Sequence, residues 1–426
     1  MSPCICLVTT GHPSTNPRLV KEADALSEAG FEVRVVACKF VAWADRADAE
    51  FDDRPWRVEW VRFGEMASFW EGAWMRVRRK LARQAISRVG YHPMLAERAL
   101  HYVVPELKRK AMRGPADLYI AHNLAALPAA AAAARRHEAK LGFDAEDFHR
   151  GQFAEETGAE YALTCWAEER YIPGCDYVTA ASEGIAEAYA HALGIPTPVT
   201  IDNVFPLSER EMALPETALQ DEKVMGTRTL YWFSQTIGAG RGLEDVLRAL
   251  PRLDPDVHLV VRGQWADGFE TSFMTQAEEL GVRDRVRSLA PVPPGELIVR
   301  AAQHDVGLAL EQPRTRNRQL CVTNKIFTYL LAGIPALATD TEGQRRVCAH
   351  APEATRLVPA GDPVALAEGA QQLLDERGRA RVAADRAATD RFNWEIESQR
   401  FLAVVRRCLG SKTRRDAHAL VPHASG

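Results

Sequence analysis

Three stretches of the chain hold residues whose types and spacing suit chemistry on a charged, hydroxylated substrate. In the first, Tyr231-Trp-Phe-Ser-Gln-Thr-Ile-Gly-Ala-Gly-Arg-Gly242 runs into Leu243-Glu-Asp-Val-Leu-Arg-Ala-Leu250. A strand feeding a glycine-rich turn and then a helix can seat a diphosphate. Gly238, Gly240 and Gly242 permit close backbone approach and positive φ, the helix start presents unpaired N–H groups, and Arg241 adds a fixed cation. The spacing is G-x-G-x-G, not the dinucleotide pattern G-x-G-x-x-G, so an ordinary turn with a solvated arginine is the competing reading.

The second stretch, Val322 to Asp340, places Asn324, Lys325 and Thr328 near a helix start, with Ile326, Leu330 and Leu331 free to face a sheet. Gly333 ends that helix and Pro335 opens a strand. A lysine at a helix start opposes the dipole unless an anion sits nearby, which favours a phosphate. The third stretch is Phe143-Asp-Ala-Glu-Asp-Phe-His149, after an alanine-rich helix, with Ala121-His-Asn123 upstream behind the strand-like Asp117 to Ile120. Asp144, Glu146, Asp147 and His149 supply acceptors and an imidazole that could orient a hydroxyl and take its proton, and the choice of base between Glu146 and His149 stays open. The alternative is an acidic cluster at a helix N-terminus, which the dipole favours without catalysis. His122 reads more simply as a loop hydrogen-bonder.

These residues need a scaffold, and the pattern supplies one. Cys4 to Thr9 reads as a buried strand and Gly11 to Thr15 as a loop; Asn16-Pro17 caps and opens a helix that Gly30 stops. Leu19, Val20, Ala23 and Leu26 share that helix's apolar face, with Arg18, Lys21, Asp24 and Glu28 mostly opposite. Phe31 to Ala37 is the next strand, completing a βαβ unit whose loop at the strand's carboxyl end faces a ligand crevice. The alternation resumes with strands at Thr229–Phe233, Val257–Val261, Val286–Leu289, Val306–Leu310, Pro335–Thr339 and Arg356–Val358. Two doubly wound halves are therefore expected, joined near Ile201, with an amphipathic helix at Trp394 to Leu409 packing back on the first.

The 426 residues suit two or three folded units, and 46% hydrophobic with 26% charged residues supports a core. A net charge of −4 offers no general attraction to nucleic acid. Eight cysteines without a C-x-x-C pair or zinc-ligand spacing read as reduced thiols of a cytosolic protein, with no metal site expected. The apolar run Ile5 to Val8 is too short for a signal-peptide core, and no run of 18 apolar residues appears. Met66 to Gly90 interleaves Trp70, Trp74, Met75, Val77, Leu81, Ala85 and Ile86 with Arg76, Arg78, Arg79, Lys80, Arg83 and Arg88 against the single Glu71. It suits either anionic lipid or an ordinary helix whose stripe is core, the latter favoured for Val77 and Leu81.

Taken together, Thr10-Gly-His-Pro-Ser-Thr-Asn-Pro-Arg-Leu-Val-Lys-Glu-Ala, the Arg241-Gly242 turn, Asn324-Lys-Ile-Phe, Ala332-Gly-Ile-Pro335 and Trp394 carry a resemblance. Over roughly residues 4 to 409 the chain resembles the GT-B glycosyltransferases of family 4, which are retaining and use nucleotide sugars. The resemblance implies two facing Rossmann-like domains, residues 1–205 and 206–391, with helix 392–410 crossing back to the first and a loose tail at 411–426. It implies a donor site at Gly11, Ser234, Gln235, Gly240, Arg241, Gly242, Gly263, Glu311, Asn324, Lys325 and Thr328, with Arg241 and Lys325 on the diphosphate. Glu146, Asp147 and His149 become the catalytic candidates, with His122, Asn123, Asn16 and Arg18 on the acceptor side.

The implied activity is sugar transfer from a nucleoside diphosphate sugar to an acceptor hydroxyl, in polysaccharide or glycolipid synthesis. The implied setting is the cytoplasm or the cytoplasmic face of a membrane, with a lipid-linked or saccharide acceptor and no cofactor or metal. One departure stands out: where the family commonly has two glutamates before the helix-ending glycine, this chain has Thr328 and Leu320. That departure admits a rearranged donor site with Glu311 reaching in, or a GT-B protein that binds nucleotide without turnover. A sugar-nucleotide epimerase on the same architecture is the other enzyme reading.

Overall fold

The computed structural model describes residues 2–410 except 221 and 223–225, so the expected tail at 411–426 lies outside the described residues. Two compact units emerge: Met1–Ile201 together with the stretch from Ser398, and Asp202–Glu397. The first holds β1 (Cys4–Thr9), β2 (Glu32–Lys39), β3 (Arg57–Arg62), β4 (Leu118–His122), β5 (Lys140–Ala145), β6 (Tyr177–Ala180) and β7 (Val199–Thr200). They form one sheet in the order β3-β2-β1-β4-β5-β6-β7, every pair parallel. The second holds β8 (Arg228–Ile237), β9 (Val257–Trp265), β10 (Val286–Leu289), β11 (Val306–Ala309), β12 (Ala336–Thr339) and β13 (Thr355–Val358). Its order is β10-β9-β8-β11-β12-β13, again wholly parallel.

Each sheet winds outward in both directions from its first strand, and each has its switch in strand order beside that strand, between β1 and β4 and between β8 and β11. Ligands of open α/β sheets bind outside the carboxyl ends of the strands at such a switch. The central strands are covered on both faces, which is why β1 reads Cys-Ile-Cys-Leu-Val-Thr without polar alternation and is buried from Ile5 onward.

Local signals set the helix that follows β1. Asn16 accepts a hydrogen bond from Leu19 N–H at 3.1 Å and Pro17 occupies the first helical position of Pro17–Glu28. Gly30 takes a φ of 88° just beyond its end. Arg18, expected on the solvated face, is 1% exposed. At the final helix, Trp394–Gly410, Phe401, Val404 and Val405 are buried as the amphipathic pattern predicts, while Ile396 and Leu409 are half-buried.

The alternative reading of the acidic run, a helix N-terminus, is not met, because Asp144 and Ala145 end β5. Val77 and Leu81, expected in the core, are 49% and 56% exposed. The inner face of helix Phe69–Val89 is made instead by Gly72, Met75 and Ala82. All eight cysteines are free thiols.

Candidate functional site

In the first unit, strand register brings chemistry-bearing residues into one row. Thr9 of β1 pairs with His122 of β4, His122 with Asp144 of β5, and Asp144 with Thr179 of β6. Residues paired across parallel strands project to the same face, so four polar side chains sit side by side at the carboxyl ends. Helix Pro17–Glu28 lays Arg18 and Glu22, one turn apart, against that row.

The result is a buried charge network. Arg18 donates to both carboxylate oxygens of Asp144, at 2.5 and 2.8 Å, and to the Ile201 carbonyl at 2.5 Å. Thr179 Oγ1 adds a bond to Asp144 at 2.7 Å. His122 Nε2 lies 3.3 Å from Glu22, and its Nδ1 lies 3.5 Å from Asp144 and 3.4 Å from Glu146. Burial opposes a charge on His122, but Glu22, Glu146 and Asp144 outweigh it and hold its pKa up at about 10. Burial also pushes the Glu22 carboxyl up, with the Asp144 charge adding to it. Asp144 is held down despite burial because Arg18 grips it. Glu22, His122 and Asp144 would offer a metal three ligand atoms within 4.8 Å, but Arg18 already supplies a cation there.

Arg18 therefore cannot serve the acceptor side: its guanidinium is spent inside the fold on Asp144. Glu146 is half-buried at the rim, with Oε1 accepting from Asn16 Nδ2 at 2.6 Å. Asn16 thus caps its helix with one amide atom and orients Glu146 with the other. Asn123 adopts a φ of 70° directly after β4, where it accepts from Thr10 Oγ1 at 3.1 Å and from Ala126 N–H at 3.2 Å. Gly11, in the adjoining loop, donates its N–H to Thr9 Oγ1 at 3.2 Å. His149 Nε2 accepts from Leu124 N–H at 3.2 Å, and burial lowers its pKa, so it is a neutral imidazole with Nδ1 as its remaining nitrogen. The Asp147 carbonyl accepts from Tyr189 Oη at 3.1 Å.

The carboxylate of Asp144 and the imidazole of His122 together fix a pH response. His122 has a folded pKa of about 10 against an ordinary value of 6.5. A group raised on folding contributes stability that is full below its unfolded pKa and lost as pH climbs through the folded one. We expect stability to fall between about pH 6.5 and about pH 10, and His122→Gln to flatten that slope, read from urea midpoints across the window. A variant as alkali-sensitive as the parent would exclude this role.

In the second unit the candidate donor residues surround the switch between β8 and β11. The register of β8 against β9 slips between Phe233 and Thr236, leaving Ser234 and Gln235 in a bulge. Gly263 lies within β9, at a φ of 150°, where any Cβ would collide with the Ser234 carbonyl. It is needed for the close packing of β9 against β8. Gly242 has a φ of 79°, and a Cβ there would come within 2.8 Å of Leu310 Cβ, so this turn and the end of β11 touch only because the residue is glycine. Gly238, by contrast, does not adopt positive φ. The Gly240 N–H already donates to Glu244 Oε1 at 3.3 Å.

Cations collect around this turn. Arg241 Nη1 lies 3.5 Å from Ser234 Oγ. Lys325, at the start of helix Asn324–Leu331, sits 3.1 Å from Glu311 Oε1 and over the Trp232 ring at 5.6 Å. Glu311 also takes Arg318 at 3.2 Å, and these two cations hold its carboxyl below the usual range despite burial. It is thus committed to cations and does not stand in for a ribose-binding glutamate. Thr328 is buried and donates its hydroxyl to the Asn324 carbonyl at 2.9 Å, so it does not replace that glutamate either. Asn324 Oδ1 accepts from Asn203 Nδ2 at 2.9 Å. Arg314 went unnoticed in the sequence. Its guanidinium lies over Gly240, 2.7 Å from where a Cβ would stand. The signal was its place in the first residues after a strand at the switch.

Two wholly parallel units with the strand order of doubly wound dinucleotide-binding sheets define the class: a two-domain Rossmann-like GT-B fold. Residues 228–376, within the second unit, match the family model "Glycosyl transferases group 1". Among solved structures, HepE of Anabaena in complex with UDP aligns with TM-score 0.69 at 17% identity, covering 96% of this chain and 100% of that one. Sucrose-phosphate synthase of Thermosynechococcus elongatus aligns with TM-score 0.69 at 14% identity over 96% and 100%. A TarM variant of S. aureus in complex with UDP aligns with TM-score 0.66 at 10% identity over 96% and 100%. No curated protein sequence matches the chain.

Proposed function

We propose that the protein transfers a sugar from a nucleoside diphosphate sugar to an acceptor hydroxyl. The observation that carries this reading is the gathering of Arg241, Arg314 and Lys325 around the glycine turn of a group 1 glycosyltransferase domain, at the strand-order switch. The leaving group of such a transfer is a nucleoside diphosphate, so the site's main task is to neutralise charge developing on it, and preorganised cations do this without reorganising. That HepE was solved with UDP and with UDP-glucose supports a uridine nucleotide as the first donor to try.

In the first unit, Glu146 is the group we assign to the acceptor hydroxyl, because Asn16 and His122 orient its carboxylate at the rim while His149 has its Nε2 committed to Leu124. Retention of anomeric configuration, and a role in polysaccharide or glycolipid synthesis, follow the sequence resemblance. A thermal-shift screen across nucleoside diphosphate sugars tests the core of the proposal, since a ligand that prefers the folded state raises Tm by mass action. The expected result is a shift with one donor, followed by glycoside formation with it. No shift with any donor and no turnover would reject the reading, and a free isomerised sugar nucleotide as product would replace it with an epimerase.

A further inference from the structure

Helix Phe69–Val89 turns its largest apolar side chains away from the protein. At about 100° per residue, Trp70, Trp74, Val77 and Leu81 fall within about 60° of one another on its outer face. They are 81%, 58%, 49% and 56% exposed, and Phe69 extends the stripe by packing edge-on against Trp70. The inner face is clamped down by arginines. Arg78 donates to Glu106 at 2.8 and 2.6 Å and to the Tyr102 carbonyl at 2.7 Å. Arg79 donates to the Ala99 carbonyl at 3.0 Å, and Arg83 to Glu160 at 2.7 Å.

The stripe's occupant is indicated by charge. Arg76, Lys80 and Arg88 are exposed on the same helix and form no ion pair among the described residues. The helix's only acid, Glu71, is closed into a capping box with Ser68. A chain of net charge −4 thus concentrates free cations beside its most exposed tryptophans. No helix among the described residues is long and apolar enough to cross a membrane.

We infer that this helix lies flat on a lipid bilayer bearing anionic headgroups. The stripe sinks about 5–10 Å into the boundary between headgroups and acyl chains, and the flanking cations sit at headgroup level. Tryptophan suits that depth because its ring is amphipathic. None of the donor-site residues takes part, so this surface stands independently of the proposed activity.

The test is cosedimentation of the full chain with vesicles of phosphatidylcholine alone and with about 30% phosphatidylglycerol, at low and high salt. Binding at least about tenfold stronger to the anionic vesicles at low salt is expected, with a loss on adding salt. Trp70→Ser/Trp74→Ser/Leu81→Ser should weaken binding about tenfold or more, and Arg76→Glu/Lys80→Glu/Arg88→Glu should remove the preference for anionic lipid. Both variants change exposed side chains, and unchanged melting curves check that they fold. The inference is overturned if the parent ignores anionic vesicles or if the apolar variant binds as well as the parent. It is equally overturned if sedimentation velocity shows a dimer that only the apolar variant dissolves, which would make a second copy the occupant. Donor thermal shifts on the same proteins report separately on the activity, so either reading can fail alone.

Discussion

Arg241→Ala and Lys325→Ala are each expected to lower kcat/KM for the donor by on the order of 10²–10³, the usual effect of removing one preorganised group from a site of developing negative charge. The loss should appear in kcat as well as KM, because charge on the leaving diphosphate grows toward the transition state. Lys325 lies 3.1 Å from Glu311 and over the Trp232 ring, so its removal also takes from Glu311 one of the two cations, Lys325 and Arg318, that hold it. Arg314→Ala should show a smaller loss, since its guanidinium is exposed and solvent competes for the phosphate. Steady-state kinetics of the three variants with the donor found by thermal shift checks the series. Unaltered turnover in both Arg241→Ala and Lys325→Ala would mean that the diphosphate lies elsewhere.

The second large effect is on stability. Arg18→Met removes the guanidinium from a carboxylate that has no access to water, and breaking a buried pair by deleting one partner costs about 3–5 kcal/mol. The mutation also leaves the Ile201 carbonyl without its Arg18 donor. The double variant Arg18→Met/Asp144→Leu should recover much of the loss, because no unpaired charge remains at that position. Urea denaturation followed in the first unit's transition would show this, and a single variant as stable as the parent would contradict the network as described. Acid supplies a second check. A carboxylate held below its ordinary value contributes stability above about pH 3.8 that is lost as pH falls through its folded pKa, so the parent should lose stability there and the double variant less.

Much of the architecture was legible because it rests on local signals. The Asn16-Pro17 start and the Gly30 stop of the first helix are written in capping chemistry, and the strand Val286–Leu289 has the bounds expected from the strand–helix alternation. Arg18 was misread because a helix wheel counts an arginine as polar, while the opposite sheet holds Asp144 where the wheel assumes solvent. Val77 and Leu81 were misread for the converse reason: periodicity identifies an apolar stripe but not which way it points. Arg314 lies 74 residues beyond Gly240, and only the crossing of β8 and β11 puts them together.

By itself the sequence determined the alternation of strand and helix, the glycine turn at Gly240–Gly242, and the residue types able to meet a diphosphate, since these follow from propensities and spacing within a few residues. The tertiary structure decided which charges were already spent. Arg18 and Asp144 neutralise each other inside the first unit, and Glu311 is held by Lys325 and Arg318. Arg241 and Arg314 stay at the switch, and the tryptophans of helix Phe69–Val89 face outward. The physical reason is that pairing and burial depend on strand register and on which helix covers which face. Those contacts join residues far apart in the chain, beyond the reach of any local pattern.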